Sequence, residues 1–100
     1  MKGKGTKLGE RQKEYSRGGV CKKCNKHYPS LTVEHIVPAF VLTDLGLGDL
    51  AYDDEDNFEP LCFGCNRMKG GRLDPLHPKT HPLLARYVRA SYDKFNQTNV

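Results

Sequence analysis

Two pairs of cysteines have the spacing of metal ligands: Cys21 with Cys24, and Cys62 with Cys65. A gap of two residues lets one turn direct two thiolates at a single tetrahedral ion, and the lysines inside the first pair favour the thiolate form. The long segment between the pairs does not weaken the assignment, because each doubling of a loop costs only ~0.6 kcal/mol, against ~10–16 kcal/mol for structural zinc. The pattern predicts one structural Zn²⁺ held by all four cysteines, with no open position for catalysis.

Two disulfides or a redox-active pair are the alternative interpretations of these cysteines. A thioredoxin-like redox site has a single CxxC in a βαβ context, whereas this chain has two pairs. No apolar export segment with a basic start and a small-residue cleavage site precedes the first pair, and no stretch approaches the ~20 apolar residues of a membrane span. We therefore expect reduced thiols in a soluble, intracellular protein with no membrane partner.

A second group of polar residues is not explained by zinc: the dipeptide Glu34-His35, Asn57 and Asn66. An imidazole can accept a proton near neutral pH, and carboxylate and amide oxygens suit a hard divalent cation. Taken singly, each residue has an ordinary interpretation: a solvated strand-end charge, a structural or zinc-bound histidine, a turn asparagine, and an asparagine bonded to its own helix. Their joint order within the cysteine framework favours chemistry.

Three runs of sequence carry a resemblance to a known family: LTVEHIVP at residues 31–38, DNFEPLC at 56–62 and CNRMKG at 65–70. Together they resemble the HNH endonucleases of the ββα-metal type with a four-cysteine zinc site, over residues 20–72. Within that family, the pattern is similar to the subgroup that has Asn in place of the last His, which includes a phage junction-resolving endonuclease.

The resemblance implies a metal-dependent DNA endonuclease that hydrolyses phosphodiester bonds. In this family pattern, His35 is the general base, Glu34 and Asn66 hold a catalytic Mg²⁺ or Mn²⁺, and Asn57 hydrogen-bonds the backbone of the loop that carries the histidine. The family more often has Asp before the histidine, so Glu34 is one methylene longer than the usual ligand. The expected reaction is nicking with low sequence preference, leaving 5′-phosphate and 3′-hydroxyl ends.

Two other classes of function share the zinc framework. A catalytically inactive, zinc-stapled nucleic-acid-binding module is the main alternative, and a zinc-stapled protein adaptor ranks last. The joint presence of an acid, a histidine and two asparagines favours the enzyme, because a binding module needs none of them at these positions. The resemblance also admits a homodimer, a DNA-processing partner, and a phage-encoded protein that acts in the host cell.

The net charge of +4 is distributed unevenly along the chain. Residues 1–26 carry +7, residues 44–59 carry −7 and residues 67–100 carry +5. This distribution favours DNA held by the basic ends, mainly through its phosphate backbone, with the acidic segment facing solvent or a metal ion. Solubility, and a solvated basic face, are the alternative interpretations. The candidate DNA contacts, which follow the last cysteine, are Arg67, Lys69 and Arg72.

The order of predicted elements gives a small α+β fold: a zinc-stapled ββα-metal domain with flanking helices. The β-branched, apolar residues 31–33 predict its first strand, residues 58–61 its second strand, and residues 62–69 a helix that ends at a glycine pair. Between the strands we expect a helical turn at 40–45 and an exposed acidic loop at 53–56.

The flanking segments complete a single domain over residues 1–100, with its core at 20–72. Residues 1–6 are predicted to be disordered, because they are mainly Gly and Lys with nothing to bury. Residues 7–16 favour a short basic helix. Apolar residues at helical spacing over 80–96 predict a C-terminal amphipathic helix that covers the core.

Three histidines remain outside the predicted site. His77 and His81 are four residues apart, but a proline follows each of them, which argues against a shared helical face. We expect both to lie in a surface loop instead of a second metal site. His27, just past the first cysteine pair, is expected to pack or to contact DNA.

Overall fold

The computed structural model of the protein describes residues 5–98. Its elements, in chain order, are α1 (Lys7–Tyr15), β1 (Gly19–Val20), β2 (His27–Tyr28), β3 (Thr32–His35), α2 (Ala39–Asp44), α3 (Leu50–Asp53), a 3₁₀ turn (Glu55–Asn57), β4 (Phe58–Leu61), α4 (Phe63–Lys69) and α5 (Thr80–Thr98). The predicted α+β class is confirmed, with two small antiparallel sheets and their helices.

The strand, strand, helix unit consists of β3, β4 and α4. Strands β3 and β4 pair antiparallel, in a register that sets Glu34 opposite Glu59. Helix α4 begins directly after β4 because Cys62 is its N-cap, and the helix ends at Gly70, whose φ of 60° lies in the left-handed region that suits glycine. A side-chain hydrogen bond from Asn66 to Thr32 ties α4 to β3. The predicted order of elements is therefore present.

A second hairpin, β1–β2, was not predicted from the sequence. Its register pairs Gly19 with Tyr28 and Val20 with His27, so it encloses the first cysteine pair. Gly18 enters it with φ 95°, and a Cβ there would lie 2.6 Å from the Tyr28 carbonyl oxygen, so this position requires glycine. Strands of two residues are too short to show the alternation of apolar and polar residues that predicts a strand, so this hairpin gave no signal in the sequence.

The buried residues form two separate clusters. The zinc-side core consists of Cys21, Leu31, Leu61 and Cys62, and the helical core consists of Ile36, Val37, Leu42, Ala51, Leu83 and Tyr87. Leu31 and Ile36 stand just outside the two ends of β3, so the strand runs from one cluster to the other. The dipeptide Glu34-His35 therefore lies between the two cores.

The acidic segment, residues 53–56, is largely exposed, as expected, but it is not an irregular loop, because it runs from the end of α3 into the 3₁₀ turn. Asp53 Oδ1 accepts a hydrogen bond from Lys7 N at 3.4 Å, and Glu55 forms ion pairs with Lys7, at 3.7 Å, and with Arg11. On the other side, Asp54 and Asp56 both form ion pairs with one arginine of α5. These carboxylates therefore face solvent and also connect α1 and α5 to the segment before β4.

The two flanking helices extend beyond the ββα unit. Helix α1 begins at the N-cap Thr6, whose Oγ1 accepts from Gly9 N, so the last residue of the segment predicted as disordered has a structural role; residues 1–4 lie outside the described residues. Helix α5 includes the predicted residues 80–96. Its first half buries Leu83 and Tyr87, but the later apolar positions, Val88, Tyr92 and Phe95, are exposed. No helix within residues 5–98 is both long and apolar enough to cross a membrane.

Candidate functional site

The four cysteines converge in space. Their Sγ atoms all lie within 4.8 Å of one another, as four ligands of one ion require. The first pair is held by a tight turn, in which Asn25 N donates to Cys21 O at 2.9 Å and Cys21 N donates to Lys26 O at 3.0 Å. Asn25 has φ 60°, a conformation that asparagine tolerates better than most residues. The second pair lies at the start of α4, where Cys62 is the N-cap and Cys65 is in the first turn.

The local electrostatics favour a thiolate at one cysteine of each pair, Cys21 and Cys62. Burial raises the pKa of Cys21, but backbone hydrogen bonds from Cys24, Cys62 and Lys23 outweigh it and lower that pKa to about 6. The pKa of Cys62 is lowered chiefly by the Cys65 backbone N–H, whereas the pKa of Cys65 is raised to about 12 because its thiol is hydrogen-bonded to Cys62. Four thiolate donors, two of them already favoured, fit the tetrahedral preference of Zn²⁺.

His35 lies at the end of β3 with its ring held in one orientation. Its Nε2 is 2.7 Å from the carbonyl oxygen of Ala51. A carbonyl can only accept, so Nε2 carries the hydrogen and Nδ1 of the neutral ring is the free proton acceptor. The ring of Phe58, its cross-strand partner, packs edge-on at a centroid distance of 5.5 Å. The half-buried ring therefore has one defined nitrogen, Nδ1, that can accept a proton.

Asn57 is fully buried and clamps the chain that follows His35. Its Oδ1 accepts from Val37 N at 2.7 Å, its Nδ2 donates to Val37 O at 2.9 Å, and its backbone carbonyl accepts from Ile36 N at 2.9 Å. Three hydrogen bonds therefore tie the turn before β4 to the residues directly after β3. Asn57 thereby fixes the backbone that directly follows His35.

Asn66 faces β3 from the first turn of α4. Its Nδ2 donates to Thr32 Oγ1 at 2.6 Å and approaches Val33 O at 3.5 Å. The single hydroxyl hydrogen of Thr32 is already donated to Leu61 O, at 2.8 Å, so Thr32 can only accept from Asn66. This fixes the orientation of the amide and leaves Asn66 Oδ1, the atom that a cation would take, outside these hydrogen bonds.

Glu34 is buried and already has a cationic partner, which the sequence reasoning missed. Its carboxylate forms an ion pair with Lys69 Nζ, and the two residues are only 6% and 8% exposed. Lys69 Nζ also donates to His35 O at 3.1 Å. The signal available in the sequence was the position of Lys69 one helical turn after Asn66, which places both side chains on the same face of α4.

The three predicted DNA contacts occupy different environments. Arg67 is exposed on α4 and has no partner within residues 5–98. Lys69 is held in the ion pair just described. Arg72 donates from Nε to Lys69 O at 3.1 Å and from Nη2 to Met68 O at 2.8 Å, so it caps the carboxyl end of α4. Only Arg67 is thus free, in the described structure, to meet a phosphate without first breaking a contact.

The other histidines do not form a second metal site. His77 Nδ1 accepts from Lys79 N at 3.0 Å, so its Nε2 carries the hydrogen that points to Glu59 Oε1, 2.9 Å away. His27 and His81 are exposed, but His81 lies in the first turn of α5 and not in the surface loop that was expected. In the described part of the chain, the four cysteines are the one group of three or more His, Cys, Asp or Glu side chains arranged to hold a metal.

The fold and the site together define a ββα unit stapled by a four-cysteine cluster, with a polar strand end beside it. The model of the HNH endonuclease family matches residues 20–72, just over half of the 100-residue chain. The chain therefore belongs to the HNH endonuclease family. No curated protein and no solved structure matches it.

Proposed function

We propose that the protein is a metal-dependent DNA endonuclease in which His35 is the general base. The observation that carries this proposal is the hydrogen bond between His35 Nε2 and Ala51 O, which leaves Nδ1 as a proton acceptor at the end of β3. Within residues 5–98, no hydrogen bond occupies Nδ1, and the ring is only partly buried. Membership of the HNH endonuclease family supports the same reaction class.

Glu34 and Asn66 are the residues that would hold the catalytic ion. A carboxylate and an amide oxygen are hard donors, and the amide orientation fixed by Thr32 leaves Asn66 Oδ1 available. When bound, Mg²⁺ or Mn²⁺ stabilises negative charge on the phosphate and on the departing 3′ oxygen. The cysteine cluster has no part in this step, because a Zn²⁺ with four thiolate ligands has no open position.

The protein's own residues account for the proton transfer. His35 Nδ1 removes a proton from the attacking water, and the Ala51 carbonyl, which faces Nε2–H, stabilises the imidazolium that results. Asn57 keeps this arrangement by tying the backbone at Ile36 and Val37. DNA is held mainly through backbone phosphates, for which Arg67 is the best exposed candidate, so low sequence preference follows.

Cleavage of supercoiled, branched and single-stranded DNA tests the proposal. We expect zinc-loaded protein to nick DNA only after Mg²⁺ or Mn²⁺ is added, and His35→Ala to reduce the rate about 10²–10⁴-fold. His81→Ala, which removes an exposed histidine outside the site, is the matched control and should leave the rate unchanged. Equal rates for the wild type and His35→Ala would refute the role of His35, and no cleavage of any substrate with either ion would refute the enzyme.

An inactive nucleic-acid-binding module is the second candidate, and one observation favours it. The Glu34 carboxylate is already neutralised by Lys69, as it would be if no divalent ion were ever bound there. This candidate predicts DNA binding that weakens steeply with salt but no cleavage with any ion. The enzyme predicts both salt-dependent binding and ion-dependent nicking, so the same samples separate the two.

A further inference from the structure

The ion pair between Glu34 and Lys69 is unusual for its burial. Lys and Glu are almost never fully buried unless they are paired, and here both residues are more than nine-tenths buried. The lysine ammonium also donates to His35 O at 3.1 Å, so it touches the backbone of the general base as well as the carboxylate beside it. The chain's own cation thus sits where the proposed function needs a carboxylate free for a metal ion.

A divalent ion and the ammonium cannot share the Glu34 carboxylate without strong repulsion. Like charges a few ångströms apart in a buried site repel far more than they do in water. Lysine is suited to leave, because its charge sits at the end of a flexible four-carbon stem. An arginine in the same place would hold the carboxylate through a rigid planar fork and would be harder to displace.

Cavities beside Lys69 provide space for the displaced ammonium. Lys69 lines two adjoining cavities, of about 570 and 460 Å³. Asp74 and Lys23 line both of them as well. Asp74 uses Oδ1 to accept from Leu76 N at 2.9 Å, and no hydrogen bond within residues 5–98 occupies its second oxygen. The Asp74 carboxylate therefore lines the space into which the Lys69 ammonium would move.

We propose that Lys69 is a built-in substitute for the catalytic ion, exchanged for it when the ion binds. In the metal-free protein the ammonium neutralises the buried Glu34 and keeps β3 and α4 in register. On metal binding it is displaced into the cavities, toward Asp74. Lys69 is a positioning residue, and the inference rests on the proposed function in that Glu34 must be a ligand of the divalent ion.

Calorimetric titration with Mn²⁺ at pH 8 tests the competition directly, using zinc-loaded protein without DNA. We expect Lys69→Met to bind Mn²⁺ at least about tenfold more tightly than the wild type, which corresponds to about 1.4 kcal/mol of competition removed. Lys79→Met removes an exposed lysine from the same cavity and should bind like the wild type. Equal or weaker binding by Lys69→Met overturns the exchange. Adding Glu34→Gln to Lys69→Met should abolish the gain; if it does not, the ion binds elsewhere and the inference fails.

A second measurement needs no variant and so remains valid if Lys69→Met does not fold. Lysine acetylation, followed by peptide mass spectrometry, reports how accessible each ammonium is. Lys69 should react slowly in the metal-free protein and several-fold faster with Mn²⁺, whereas the exposed Lys26 should react at one rate throughout. An unchanged Lys69 rate, in a sample in which calorimetry detects bound Mn²⁺, overturns the exchange.

Failure of this inference is distinguishable from failure of the proposed function. If the wild type binds Mn²⁺ and nicks DNA while Lys69 stays protected, the endonuclease stands and the exchange is wrong. If neither the wild type nor Lys69→Met binds Mn²⁺, the catalytic metal site and the exchange are both wrong.

Discussion

The two cores on either side of the Glu34-His35 dipeptide are held by different physical means. The zinc-side core has four buried residues, and two of them, Cys21 and Cys62, belong to the cysteine cluster that could hold a metal and have little apolar surface of their own. The helical core has six buried residues, none of them a metal ligand, and it is closed by Leu83 and Tyr87 from α5. A small chain gains from both devices, since it cannot bury a large apolar core.

This difference divides the candidate site into two halves. Asn66 belongs to α4, whose start is fixed by the cysteine cluster. His35 and its partner Ala51 belong with the helical core, because Ala51 is a member of it and Asn57 ties the following turn to it. The half that contains Asn66 and the half that contains His35 should therefore respond separately to mutation.

Removal of zinc is the strongest test of the comparison. Cys62→Ala, or prolonged chelation, should abolish the folded state, because structural zinc contributes about 10–16 kcal/mol at neutral pH and the zinc-side core holds few other apolar groups. Circular dichroism and metal analysis, which should find one zinc per chain, measure the outcome. Phe63→Ala, an exposed neighbour in the same turn, is the control. A Cys62→Ala protein with an unchanged melting temperature would mean that the cluster is not structural.

The cysteine cluster could be predicted from the sequence because each pair of cysteines is defined by residues that are close together in the chain. Two CxxC spacings fix four ligands, and the expected convergence of the cysteines is confirmed. The order β3, β4, α4 was also accessible, since each element has its own apolar or capping signal. The family match over residues 20–72 confirms the resemblance on which the predicted site was based.

The contacts that could not be predicted join charges far apart in the chain. Glu34 and Lys69 each have an ordinary solvated interpretation, and only the packing of α4 on β3 brings them together. The ion pairs of the acidic segment were not predicted for the same reason, because their partners lie in α1 and in α5. Charge composition shows how many ions a segment has, but the tertiary fold decides which of them are paired.

Asn57→Ala should have the next largest effect, by destabilising the half of the molecule that contains the helical core. It leaves the N–H and C=O of Val37 buried without partners, at a cost of about 1–3 kcal/mol for each group. Chemical denaturation should show a loss of about 2–6 kcal/mol with zinc still bound, together with slower cleavage. Asn96→Ala, at an exposed position of α5, is the control. Loss of zinc from folded Asn57→Ala protein would contradict the independence of the two halves.

Tyr87→Phe probes one hydrogen bond of the helical core. Tyr87 Oη donates to Asp54 Oδ2 at 2.5 Å, and hydrogen bonds to charged groups contribute about 1.5–3 kcal/mol. Burial, and then this bond, raise the pKa of Tyr87 above its ordinary value. Its stabilising contribution is therefore complete below pH ~10, where an unfolded tyrosine is still protonated, and declines as the pH rises toward the folded pKa.

Denaturation of the wild type and of Tyr87→Phe between pH 8 and pH 11 measures this contribution. The difference between the two proteins should be constant up to about pH 10 and then shrink by about 1.4 kcal/mol per pH unit. Tyr92→Phe, on the exposed face of α5, should follow the wild type. A difference that grows with pH would show that the phenol is ionised more easily in the folded state, contrary to its burial.

Arg86→Ala should have the smallest effect, although Arg86 forms ion pairs with both Asp54 and Asp56. Its side chain is 48% exposed, and pairs of this kind contribute at most about 1 kcal/mol. We expect a loss of that order at low salt and a smaller loss in 1 M NaCl, where the screening length is about 3 Å. Arg89→Ala, which removes an exposed pair within α5, is the matched control. A loss well above 1 kcal/mol that persists in high salt would mean that the acidic segment is a third source of stability, beside the zinc cluster and the helical core.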